Sequence, residues 1–174
     1  MLTLIANDRG LTLAEVLIAV AILGVGLVGL ASVIPASSSA VQQGYQLSTA
    51  TFLAEQMVER ARAANWTATV PASDCLGVSA GDAAPVPTGP TCLTAQPPAS
   101  PTSTQFPDEA AVAGYTAYRR VVRVTDCGAT PCVAGMTHDG MRLVTVTVSY
   151  RGLTGAGVSP TDSTVTLNWL VARK

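Results

Sequence analysis

The sequence predicts an α+β protein in which a long N-terminal helix, membrane-spanning at first and then amphipathic, packs on a small antiparallel β-sheet. Three observations predict this fold. An apolar run over 11–34 is long enough to cross a bilayer as a helix. Residues 36–66 place apolar side chains at helical spacing. The last part of the chain, 114–174, contains three segments in which β-branched and aromatic residues alternate with polar ones.

The apolar run contains one unexpected charge. The 174-residue chain is 48% hydrophobic, 12% charged and carries a formal net charge of -1, and between Arg9 and Glu55 its only charged side chain is Glu15. A charged group in hydrocarbon costs roughly 2.5 to 3.5 kcal/mol and usually has both a partner and a function. We therefore compare a cleaved secretory signal, a plain membrane anchor and an anchor with a functional Glu15. The long apolar run and the start "MLTLIANDRG", with one acid and one base, disfavour the secretory signal.

The residues around Glu15 resemble the leader junction of type IV prepilins. Gly10 is followed by "LTLAEVLIAVAILG", which places Glu15 fifth when Leu11 is counted as the first residue. The resemblance implies that a membrane peptidase removes a leader, 1–10, by cutting after Gly10, and methylates the new amine of Leu11. It also implies that Glu15 pairs with the N-terminal amine of a neighbouring subunit as a filament grows. A carboxylate beside an opposite charge is then compensated for its burial.

The glycines in "AILGVGLVGLA" make the segment 11–35, the predicted transmembrane and filament-core helix, most similar to minor pilins of the PilV type, and secondarily to pseudopilins of type II secretion systems. Pro35 is expected to kink the helix. The resemblance implies a non-enzymatic structural subunit of the inner membrane that later enters an extracellular pilus or a periplasmic pseudopilus. Its partners would be other pilin subunits, the prepilin peptidase, the inner-membrane assembly machinery and the membrane itself. A monomeric membrane-anchored extracytoplasmic binding domain remains an alternative of a different class.

Residues 36–66 read as a second, amphipathic length of helix. Apolar residues recur there at helical spacing and predict a face that a sheet should cover; they are Leu47, Ala50, Ala54, Met57, Val58 and Ala61.

The segment 67–113 is expected to be largely irregular, because it contains eight of the 11 prolines among Ser, Thr, Ala and Gly. Four cysteines follow the helix, and an even set of this kind indicates two disulfides in an oxidising compartment; they are Cys75, Cys92, Cys127 and Cys132. Three pairings are open, and the two sequential pairs are favoured because each closes a loop within one connection. The first loop is either a stapled linker or a contact surface.

Three strands are predicted in 114–174: 115–126, 141–151 and 163–173. Their period-two alternation predicts an antiparallel sheet with one buried face, and Asp139-Gly140 marks a turn before the second strand.

The polar residues of this region do not favour catalysis or metal binding. His138 is the only histidine, and its spacing from Cys127 and Cys132 matches no standard zinc pattern, so no cofactor and no metal are predicted.

A basic cluster, Arg119, Arg120 and Arg123, is the one feature that could attract nucleic acid. On a strand, Arg119 and Arg123 face one side and Arg120 the other. A charged outer face explains the cluster better than DNA binding does, because the net charge is close to zero.

Overall fold

A computed structural model describes residues 12–67, 73–88, 92, 104–132, 135, 137–154 and 157–174, without the side chains at 32, 35 and 36. One helix, α1, runs over Leu13–Ala63. The chain forms two compact units that meet in sequence between Val41 and Gln42. We call the second unit, Gln42–Lys174, the head.

In the first unit, α1 is exposed along the whole of its apolar stretch. Leu13–Ala31 has a mean hydropathy of 2.5 and is 0% buried. At roughly 1.5 Å per residue these 19 residues extend over about 28 Å, close to the ~30 Å hydrocarbon thickness of a bilayer. The helix continues through position 35 without interruption. The kink predicted at Pro35 depends on a side chain outside the described ones and stays a prediction.

The head contains two three-stranded antiparallel sheets. The first has the order β1 (Trp66–Thr67), β2 (Ser73–Val78) and β3 (Val86–Thr88). The second has the order β4 (Tyr118–Asp126), β5 (Met141–Thr154) and β6 (Gly157–Ala172). The α+β fold predicted from the sequence is confirmed, with the three predicted strands forming the second sheet.

Alternation along the strands builds the core. On β5, Val144, Val146 and Val148 are fully buried, while the residues between them lie on the opposite face. Their neighbours Val122 and Val124 on β4 face the same side, in register with Val146 and Val144. This apolar face packs with the head part of α1 in one hydrophobic cluster, to which the helix contributes Ala50, Leu53, Ala54, Met57, Val58 and Ala61.

The buried face of the helix differs from the predicted one at two positions. Leu47 is 51% exposed, whereas Leu53, absent from the prediction, is 1% exposed. Nearer the start of the head, two glutamines of α1, one exposed and one half-buried, contact the end of β5. Gln46 accepts a hydrogen bond from the backbone of Leu153 at 3.1 Å, and Gln43 donates to the carbonyl of Leu153 at 2.9 Å.

The segment 67–113, expected to be largely irregular, contributes two strands to the first sheet. Gly77 allows the close approach of β2 to β3: its φ is +70°, and a Cβ there would lie 2.5 Å from the carbonyl carbon of Val86. The strands are short and contain Gly77 and Pro87, so they show no alternation from which they could be predicted.

Candidate functional site

The candidate site is the beginning of α1, where Thr12 and Glu15 form a reciprocal cap. The Thr12 hydroxyl accepts a hydrogen bond from the Glu15 backbone N–H at 3.3 Å. In return, the Glu15 carboxylate accepts bonds from the backbone N–H and the hydroxyl of Thr12, at 3.3 and 3.4 Å. This is the capping box of a Thr-x-x-Glu sequence, which satisfies N–H groups that the first turn would leave unpaired.

Electrostatics favour a carboxylate at this position. The N-terminus of a helix carries about half a positive charge, so Glu15 in the first turn interacts favourably with it. The residues that follow are apolar and exposed: Val16, Leu17 and Ile18 are each about half to two thirds exposed. The site therefore combines one exposed carboxylate with an apolar helix that no other part of the described chain covers.

Thr12 is absent from the residues predicted for this site. The signal was present, because Thr12 stands three residues before Glu15 at the start of an apolar helix. Two residues named for the same site, Gly10 and Leu11, lie outside the described residues. Cleavage after Gly10, methylation of Leu11 and the intersubunit pairing of Glu15 stay predictions.

In the head, the cysteines are joined in the two sequential pairs. The Cys75–Cys92 disulfide connects β2 to residue 92, within the proline-rich segment. The Cys127–Cys132 disulfide closes a short loop directly after β4. Both sulfurs of the second pair are therefore in a covalent bond, and neither is available as a thiolate ligand.

The basic cluster on β4 is divided between the two faces of the sheet and largely occupied by partners. Arg120 is 3% exposed on the core face, where its Nε donates to Glu109 at 2.6 Å and its Nη1 donates to the carbonyl of Leu53 at 2.9 Å. On the other face, Arg123 forms a two-bond pair with Asp108 at 2.6 and 3.0 Å.

The pairing of Arg123 and the burial of Arg120 have two consequences. The hydrogen bond from Arg123 lowers the pKa of Asp108 below the ordinary carboxyl value and raises the pKa of Arg123. The three arginines do not form one cationic surface, because Arg120 is buried and Arg123 is paired. This arrangement does not favour nucleic acid binding through the cluster.

A second buried arginine joins the two sheets. Arg142, at the beginning of β5, donates to Asp74 on β2 at 2.6 Å, and its guanidinium lies 4.2 Å from the ring centroid of Trp66. Such a contact combines a buried ion pair with cation–π attraction. Its partners are far apart in sequence, so the sequence carried no signal for it.

No group of three or more His, Cys, Asp or Glu side chains among the described residues is placed to hold a metal ion. His138 is exposed and lines an open depression beside Asp139 and Arg173. The turn predicted at Asp139-Gly140 is present, with Gly140 at φ +82°.

The comparisons with known proteins agree with the site at the start of α1. The family model described as the prokaryotic N-terminal methylation motif matches residues 5–31. No curated protein and no solved structure matches the chain. The motif, together with the exposed apolar helix, indicates a type IV prepilin-like protein that is anchored in a membrane by a single helix. The family with this motif consists of structural pilin subunits, and the similarity does not extend to the head.

Proposed function

We propose that the chain is a structural subunit, and specifically a minor subunit, of a type IV pilus, where it supports assembly, adhesion, motility or DNA uptake. The observation that supports this most directly is Glu15 in the first turn of an exposed apolar helix, within the matched methylation motif. In this proposal the prepilin peptidase cuts after Gly10 and methylates Leu11. The subunit then leaves the inner membrane and enters the filament through α1, with the help of the inner-membrane assembly machinery.

In this proposal, the positive charge that pairs with Glu15 comes from a neighbouring subunit. Within the described part of the chain, Glu15 receives hydrogen bonds from Thr12 but forms no ion pair. Apolar helices around it would lower the local dielectric constant and strengthen an attraction to any nearby cation. The amine of a processed neighbouring subunit supplies that cation at the corresponding end of another helix. The intersubunit pair would then select the position at which each new helix is added.

The head is suited to an extracytoplasmic location. Its two disulfides favour an oxidising compartment, such as the periplasm or the cell surface. Its core is formed within the head itself, so that α1 before Val41 is free to insert into a bilayer or a helix bundle. We assign no catalytic role to the head.

The mature N-terminus provides the first test. Mass spectrometry of the protein purified from its native host should find methylated Leu11 as the first residue. Retention of Met1 under piliating conditions would contradict the proposal.

The second test concerns assembly through Glu15. Glu15→Ala should leave the subunit cleaved and anchored but absent from sheared filaments. A matched variant, Leu17→Ala, removes apolar volume from the same exposed helix without removing charge, and should still be incorporated. A monomeric anchored binding domain predicts instead that Glu15→Ala changes nothing.

A pseudopilin of a type II secretion system is the nearest alternative, because the N-terminal segment that contains the matched motif also resembles that of pseudopilins. Deletion of the gene distinguishes the two. Loss of surface filaments with normal protein export supports the pilus, and loss of export with normal filaments supports the pseudopilus.

A further inference from the structure

We propose that the free edge of β6 is a docking site for an extended strand from another, different subunit of the same filament. The contacts that support this proposal lie in the head alone, and only the identification of the partner as a filament subunit rests on the proposed function. The strand order of the second sheet ends at β6, and among the described residues β6 pairs only with β5. Its outer backbone groups are therefore available for a further strand.

The opposite edge of the sheet is covered by the chain itself. The backbone N–H of Ser79 donates to the carbonyl of Val124 at 2.9 Å, and the Ser79 hydroxyl accepts a bond from the Val124 N–H at 3.0 Å. Further along β4, Glu109 and Arg120 exchange two backbone hydrogen bonds, both 2.9 Å long. The corresponding contact near β6 lies beyond the end of the strand, where the Lys174 backbone N–H donates to the carbonyl of Trp66 at 2.9 Å. Within β6 itself, the described structure shows no such cover on the outer edge.

The exposed edge lacks the residues that usually discourage pairing. Edge strands are commonly protected by charges, prolines or bulges. In β6, Pro160 and Asp162 lie near the beginning, but the nine residues "STVTLNWLV" from Ser163 to Val171 contain neither a charge nor a proline. At about 3.3 Å per residue, this unprotected stretch is about 30 Å long.

The core is also incomplete on this side. Val165 and Leu167 are only partly buried although they pack against the core, and Trp169 is 42% exposed on the same face. A fourth strand beside β6 would place alternate side chains next to these three residues. We therefore expect the docking strand to carry apolar residues at alternate positions.

Charge indicates how such a strand would lie. Near Trp169 the surface is basic: the Arg62 guanidinium lies 4.7 Å from the Trp169 ring centroid, and the Lys174 ammonium donates to the carbonyl of Arg62 at 3.1 Å. Arg62 is paired with Glu59 at 2.7 Å, whereas the Lys174 ammonium forms no ion pair among the described residues and remains the cation available to a partner. A carboxylate on the docking strand is expected at this end.

A second copy of this chain fits the site less well than a different subunit does. Because the β4 edge is covered, two copies could pair only through β6 of each, which gives a closed two-fold dimer. Such a contact ends with two chains and cannot be continued along a filament. A strand from a different subunit leaves the rest of each molecule free for assembly.

Photocrosslinking of the full chain in its native host, under piliating conditions, tests the proposal. Asn168 is replaced with p-benzoylphenylalanine, because it is exposed on β6 and faces away from the core. The expected product is an adduct with an extended segment of another pilin-like subunit, identified by mass spectrometry of the crosslinked peptide.

Matched variants establish whether the adduct depends on strand pairing. Trp169→Lys places an inward-facing charge on the edge and should reduce the adduct about tenfold or more. Thr166→Gln enlarges a polar side chain on the opposite face of the same strand without adding a charge and should leave the adduct unchanged. Trp169→Thr retains a residue that favours strands but removes the anchor, and it should also reduce the adduct. Circular dichroism of the detergent-solubilised chains checks that each variant is folded.

The outcomes separate this proposal from the proposed function. An adduct between two β6 strands, an adduct unaffected by both Trp169 variants, or no adduct at all overturns the docking strand. If the chain is found in filaments without an adduct, the proposed function stands and the docking site fails. If an adduct forms while the chain keeps Met1, the proposed function fails and the crosslinked peptide identifies another partner.

Discussion

Removal of Glu109 should destabilise the head strongly, because Glu109 compensates a buried cation. The Arg120 side chain is 4% exposed and that of Glu109 is 23% exposed. In Glu109→Ala, the Arg120 guanidinium would keep two neutral acceptors among the described residues, the Leu53 carbonyl at 2.9 Å and the Gln56 amide oxygen at 3.0 Å. Breaking a buried ion pair by removing one partner costs about 3 to 5 kcal/mol. Because Glu109 is partly accessible to water, we expect the loss of stability to lie at the lower end of this range, at about 3 kcal/mol.

Thermal unfolding of the detergent-solubilised full chain measures this loss. Both tryptophans, Trp66 and Trp169, lie in the head, so their fluorescence reports on head unfolding. At roughly 2 to 4 °C per kcal/mol for a chain of this size, Glu109→Ala should lower Tm by about 6 to 12 °C. Glu59→Ala is the matched control, since its pair with Arg62 is exposed and contributes about 0 to 1 kcal/mol.

A double variant tests the reason for the loss. If the uncompensated charge is the cause, replacing the cation as well, in Arg120→Met with Glu109→Ala, should recover part of the Tm lost by Glu109→Ala alone. Equal Tm values for Glu109→Ala and Glu59→Ala, or a double variant less stable than the single one, would refute the explanation.

Three further predictions concern acid stability, a glycine in β2 and the helix cap. Because the hydrogen bond from Arg123 depresses the pKa of Asp108, the pair stabilises the head above the ordinary carboxyl pKa, and this contribution is lost as pH falls through the lowered value. The Tm difference between wild type and Asp108→Asn should therefore shrink as pH falls from about 6 to about 3, and a constant difference would contradict this explanation. Gly77→Ala should cost about 3 kcal/mol through its positive φ and its contact with the β3 backbone. Its control, Gly44→Ala, meets nothing within 4 Å and should stabilise the helix by about 0.5 to 1 kcal/mol. Thr12→Ala should accelerate amide hydrogen exchange in the first turn of α1 roughly fivefold, corresponding to the loss of a cap worth about 1 kcal/mol, and unchanged exchange would show that the cap contributes nothing.

The long elements of the fold could be predicted because their signals are local. The apolar run, the helical stripe and the alternation on β5 each depend on residues only a few positions apart. The short strands β2 and β3 could not be predicted in this way. They are stabilised by contacts distant in sequence, such as the Asp74–Arg142 pair and the Cys75–Cys92 disulfide.

Arg120 shows which property of a strand residue cannot be predicted from the alternation of side chains alone. Strand geometry correctly placed it on the face opposite Arg119 and Arg123, but that geometry does not determine which face is buried. Burial of an arginine requires partners, and these come from α1 and from Glu109 in the preceding segment. Three arginines close together in sequence therefore predicted an exposed charged surface. Arg120 instead belongs to the core, because α1 and Glu109 supply acceptors for its guanidinium.

Glu15 differs from the carboxylates of the head that form ion pairs with arginines. Five arginines of the head form ion pairs with carboxylates in the described structure; they are Arg62, Arg120, Arg123, Arg142 and Arg151. Glu15 stands instead at the foot of an apolar helix, and among the described residues its polar contacts come from its own cap. Hydrogen bonds of a cap fix the position of the carboxylate without neutralising its charge. A second helix that brings a positive N-terminus to the same level would therefore find the acid already oriented, and loss of the charge should affect assembly more than loss of the cap.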